Sequence, residues 1–299
     1  MNTIVYDTLK QYEKLFELPM GNRDDYYRYE IMKPFEKLWQ AIHVPLKADM
    51  AGGYDVVTFS KMNGFLDLNQ DTLAETAISI LKKEDVIKKT KKVLTECINF
   101  SHQFNLKVNS EDIKLGFFLA DPEKLKLQKG YTGFGGIPGY IQICIYPNKY
   151  NLERIPAVIA HEFHHNIRFS YFNWDHMNVS VGDYLVIEGL AEAFAKELYG
   201  EKLLGPWVTS ITQDELNSSI NIINDALEVK GFEKVGSYIF GDEIAEKQGF
   251  QPMGLPPFAG YAVGYQAVQS FMKNNNVSIL EATLLKSEEI LENCGIWKK

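Results

Sequence analysis

The chain has 299 residues, 45% of them hydrophobic and 23% charged, which is the composition of a globular protein with a sizeable core. Its net charge is −8, and Lys and Arg are scattered with no basic block, which excludes a partner read through its phosphate backbone, so no nucleic acid is expected. No stretch approaches the about 18 apolar residues of a membrane span. Asp7 and Lys10 come too early for a signal-peptide core, so the expected location is cytoplasmic.

In chain order, residues 4–18 and 26–43 carry apolar side chains at helical spacing, parted by the turn-prone Pro19-Met20-Gly21-Asn22. Residues 71–104 read as further helix with a charged outer face, and the lysine run at 82–92, interrupted by Glu84 and Asp85, reads as solvated surface. From Ile113 the character changes. IKLGFFLA reads as a strand, then come a loop, the glycine-rich YTGFGGIPGY and a second strand, YIQICIYP. The stretches 153–171, 183–199, 213–229, 242–248, 260–273 and 278–291 read as helix, with a proline-rich break at QPMGLPPFAG. The expected fold class is α+β, with a small N-terminal sheet region and a mostly helical C-terminal lobe. The expected division is a mainly helical region at 1–109 and a catalytic region at 110–299, which also fits one continuous domain. Cys97, Cys144 and Cys294 are odd in number and have no CxxC spacing, so they read as reduced, buried thiols.

The chemistry concentrates at residues 161–165, His-Glu-Phe-His-His, which satisfy H-E-x-x-H. Two histidines four apart share one helix face and can bind a single metal ion, whereas Glu162 lies about 100° round the helix. From there its carboxylate can take a proton from a water at the metal and pass it to a leaving amine. The preceding Pro-Ala-Val-Ile-Ala makes a buried origin for this helix more natural than a solvated one. His164 points about 100° from the ligand face and reads as a packing residue.

A catalytic zinc needs a third protein ligand and an open position. Arg168 and Tyr171 stand where the metzincin extension requires Gly and His, so that class is rejected. The segment Val186-Ile187-Glu188-Gly189-Leu190-Ala191-Glu192 instead places carboxylates in a second apolar helix, where a carboxylate needs a partner. Glu188 is the expected third ligand. Glu192, one turn on, is expected to accept the free N–H of a ligating histidine. Asp175, His176 and Asp183 are the fallback ligands.

HEFHH followed by IEGLAEAFA resembles the gluzincin metallopeptidases, in which a downstream glutamate completes the site. More closely, the chain resembles the YjaZ-like predicted zinc-dependent proteases, a bacterial family catalogued as a domain of unknown function. The likeness is carried by the segment from Gly133 to Tyr146, by HEFHH with EGLAE, and by GYAVGYQAV at 260–268. It spans about residues 110–275 and implies a zincin-like fold, zinc, and hydrolysis of a peptide or protein substrate. In gluzincin-like enzymes an edge strand beside the metal helix pairs with extended substrate, and YIQICIYP is the candidate here. YTGFGGIPGY is then a loop over the cleft or a tight corner. Tyr261 and Tyr265, one helical turn apart, are candidate donors to the oxyanion of the reaction, and the small residues around them permit close helix packing. Two rivals stay open, a non-catalytic protein keeping the metal helix and a zinc hydrolase of a non-peptide substrate.

Overall fold

Four short segments rich in β-branched and aromatic residues form one mixed sheet: β1 (Asn2–Val5), β2 (Asp112–Leu119), β3 (Tyr131–Phe134) and β4 (Tyr140–Ile145). The structure, a computed structural model, describes residues 1–50, 52–175 and 178–297. Strand order is β1-β2-β4-β3, with β2 parallel to both β1 and β4 and β3 antiparallel to β4. Among the described residues all other regular elements are helices, so the chain is α+β with a small sheet toward its front and a mostly helical rear.

The described residues form two compact units, one of Met1–Glu96 with Val108–Asn166 and the other of Cys97–Lys107 with Ile167–Lys299. The first holds the sheet. β4 is buried along its whole length and β2 nearly so, the pattern of strands covered on both faces. Gly116 lets the ring of Phe35 approach β2, since a Cβ there would stand 2.7 Å from it, and Phe35 meets Phe118 edge-on. The helix predicted from residue 4 begins only at Thr8, capped by the Asp7 side chain, because the residues before it are drawn into β1. The helix that starts at Met20 loosens into a π turn at Tyr27–Met32 and tightens into a 3-10 turn at Lys33–Phe35 before resuming. Pro34 causes this, lacking an N–H and crowding the preceding turn. Buried Arg23 closes the region by pairing with both oxygens of Asp71 and donating to the carbonyls of Phe16, Leu18 and Leu68. The expected helix at 71–104 is two, Asp71–Lys83 and Val86–His102, broken where Asp85 turns left-handed. Lys82, Lys89 and Lys92 pair with Glu13, Glu84 and Glu96, as a solvated helix face would.

The second unit is built on the helices Val181–Tyr199 and Ala259–Asn275. Gly189 and Gly264 let them cross at backbone contact: a Cβ on Gly189 would lie 2.2 Å from the Gly264 carbonyl oxygen, and one on Gly264 would lie 2.1 Å from that of Leu185. Val181, Leu185, Ile223, Val235, Ile239, Leu255, Ala259 and Val263 form the core around this crossing. The residues 232–240, not foreseen as helix, contribute Val235 and Ile239 to it. The three cysteines are buried. Among the described residues no helix is long and apolar enough to cross a membrane.

Candidate metal centre

The helix that carries the histidines, Ile155–Tyr171, is launched by a turn in which the Asn148 and Asn151 side chains cap each other's backbone. Asn151 also donates to the carbonyls of Lys129 and Tyr146, tying the helix entry to the end of β4. His161 and His165 are 4% and 6% exposed. Their rings meet edge-on with centroids 4.6 Å apart, and their Nε2 atoms stand 3.0 Å from each other. Two imidazole lone pairs that close repel unless a proton or a cation lies between them. Two nitrogens bound tetrahedrally to one zinc stand about 3.3 Å apart, so the pair suits that ion.

Glu162 turns its side chain toward β3. A Cβ on Gly133 would lie 2.3 Å from Glu162 Oε1, and one on Gly135 would lie 2.1 Å from the Glu162 carbonyl oxygen. The glycines of YTGFGGIPGY therefore give the backbone a close approach to this residue, and the segment is a strand followed by a turn. YIQICIYP, expected as the substrate-facing edge, is an interior strand. β4 is paired to β2 on one side and β3 on the other, and the edges of the sheet are β1 and, next to β4, β3.

Within the helix Val181–Tyr199, Ser180 and Asp183 form a capping box at the start and every residue from Leu185 to Ala195 is buried. Glu188 and Glu192 lie one turn apart in this run. Glu192 accepts from the indole nitrogen of Trp207, a partner the sequence did not suggest. Gly205 makes room for that indole, since any Cβ there would enter its ring. Near the same carboxylate lies Tyr265, whose hydroxyl is buried and has no hydrogen-bond partner among the described residues. Burial pushes its phenol up, and the negative charges of Glu201 and Glu192 add to the effect. The Lys196 ammonium stands 5.7 Å from the Tyr265 ring centre. Tyr261 instead packs against the rings of Phe240 and Phe258.

His161, His165 and Glu188 each offer a ligand atom, and these atoms all lie within 4.8 Å of one another. All three residues are buried. His164 is fully buried and lies outside the group. Asp183 serves as a helix cap, Asp175 is exposed, and neither joins the group. His176 lies outside the described residues.

Two imidazoles and one carboxylate are the donor set of a borderline-soft divalent ion such as zinc, and three ligands leave a coordination position open. The site thus defines a protein with a candidate His/His/Glu metal centre on an α+β scaffold. The chain belongs to the family described as Predicted Zn-dependent protease (DUF2268), which it matches over residues 86–292. It is 54% identical over 297 residues to the Uncharacterized protein YjfC of Bacillus subtilis (strain 168), covering 99% of each chain. To the Uncharacterized protein YjaZ of the same organism it is 26% identical over 138 residues, 46% of this chain and 50% of that one. No solved structure matches.

Proposed function

We propose that the protein is a zinc-dependent peptidase of the gluzincin type, with the metal held by His161, His165 and Glu188 and with Glu162 as general base. The observation that carries this reading is the convergence of two imidazoles and a buried carboxylate within 4.8 Å, with Glu162 next to one of those imidazoles in sequence. When bound there, zinc supplies Lewis acidity to water and to a carbonyl oxygen. Glu162 receives the proton of the attacking water and delivers it to the departing amine nitrogen. Its carboxylate lies against the backbone of Gly133, where a side chain would displace it. Tyr265 brings a buried hydroxyl that has no hydrogen-bond partner among the described residues and whose phenol burial pushes up, a donor suited to a developing oxyanion.

The backbone edge of β3 supports a peptide as substrate. Among the described residues it has no further strand beside it in the sheet, so its backbone can pair with an extended chain whatever the side chains of that chain. The test measures zinc content and hydrolysis of an unstructured protein such as β-casein for wild type and Glu162→Gln. Both should hold one equivalent of zinc, and only wild type should cut. Undiminished cutting by Glu162→Gln would remove the role given to Glu162, and a wild type loaded with zinc but inert on peptides would remove the peptidase.

A further inference from the structure

Asn166, directly after His165, is completely buried in the helix Ile155–Tyr171. Its side-chain amide is spent on the strand–turn segment next to Glu162. Oδ1 accepts from the Gly139 N–H at 2.6 Å, while Nδ2 lies within 2.9 Å of the Gly135 carbonyl and 3.0 Å of the Tyr140 carbonyl. A third contact, 3.1 Å, reaches the carbonyl of Glu162 itself. Gly139 is left-handed, and its carbonyl accepts from Lys114 of β2, so this one residue joins the sheet to the helix through both backbone groups.

We propose that Asn166 is a positioning residue that fixes the register between edge strand β3 and Glu162, and so the bond of an extended substrate that is presented for cleavage. The inference rests on the peptidase reading above. A side-chain amide is required because one acceptor and two N–H donors must work at the same time, which no other side chain of that length provides. Releasing the amide frees the 135–140 segment to shift along the helix. A misplacement of an ångström in a reacting geometry costs about 100-fold in rate.

The test compares wild type with Asn166→Ala and Asn166→Leu as zinc-loaded proteins acting on β-casein. Both variants should retain zinc, lose about 100-fold in kcat/KM, and cut bonds that wild type leaves intact, as read by mass spectrometry of the products. A weakened fold alone would lower the amount of active protein without moving the cleaved bonds. Zinc-loaded variants cutting the wild-type bonds at the wild-type rate would overturn the proposal, as would loss of zinc together with activity in both. Should neither variant fold, hydrogen exchange in wild type decides the matter: the Gly139 amide must be protected, and exchange at the rate of an open loop would overturn the assignment. A wild type inert on peptides sinks the peptidase reading. Selective loss of Gly139 protection in the variants would still show that Asn166 holds this segment.

Discussion

The indole nitrogen of Trp207 donates to a carboxylate oxygen of Glu192, and the two residues are 8% and 1% exposed. A buried carboxylate is tolerated only with donors around it, and here one donor comes from a short helical turn whose preceding glycine admits the indole. Trp207→Phe keeps the ring and removes the donor. It should cost about 1–3 kcal/mol, seen as a lower denaturant midpoint at unchanged slope.

Gly133 and Gly135 should behave differently when given a methyl group. At Gly133 the methyl meets the far end of the Glu162 side chain, which can swing aside, so Gly133→Ala should fold and bind zinc yet lose peptidase activity about 100-fold. At Gly135 it meets the backbone of Glu162, which cannot move cheaply, so Gly135→Ala should lose stability itself, by about 1–3 kcal/mol or more. Thermal unfolding beside casein hydrolysis separates the two outcomes.

The two tyrosines of GYAVGYQAV are distinguished by their surroundings. Tyr265→Phe removes a buried hydroxyl with no hydrogen-bond partner among the described residues and should lower kcat by about 100-fold with zinc content intact. Tyr261→Phe retains a ring packed against Phe240 and Phe258 and should leave kcat within about twofold. Equal losses in the two variants would remove the oxyanion role from Tyr265.

One ion pair gives a pH signature away from the metal centre. Lys61 Nζ lies 2.8 Å from Asp67 and holds its carboxyl below the usual 3.8, with burial opposing. Because the folded value is the lower one, the pair stabilises above about pH 4 and its contribution is lost as pH falls through the folded value. Lys61 is well exposed and Asp67 partly so, which screens the pair, so Lys61→Met should cost about 0.5 kcal/mol at pH 7. The difference from wild type should shrink as pH falls below 3.8 and vanish once it has passed the lowered folded value. A difference that persists into acid would show that the loss is one of packing.

The histidine pair was legible because its geometry is local: four residues of helix fix where the rings go, whatever the rest of the chain does. Glu188 was legible for a related reason, a carboxylate in an unbroken apolar run. What escaped depended on distant partners. β1 was absorbed into an expected helix because its strand character comes from pairing with residues far along the chain. The edge strand is hard to read in the sequence because YTGF is short and glycine-bearing and resembles a loop, whereas the nearly unbroken apolar run of YIQICI is the pattern of a strand buried on both faces. Asn166 carried a weak signal, a lone amide on a helix otherwise composed for burial or ligation. Its partners were not readable because two of them belong to a turn whose position only the folded sheet defines.

The register of β1 has a bearing on how the protein is made. Asn2 pairs with Asp112, 110 positions later, and the neighbouring contacts in the same ladder are just as remote. As the polypeptide leaves the ribosome, residues 2–5 must therefore wait for their ladder partners until the residues 110 positions later have followed. The intervening helices can form meanwhile from local contacts, so the sheet closes late, by capture of a waiting strand. A chaperone that shields that strand during synthesis should raise the yield of native protein more than one acting after release.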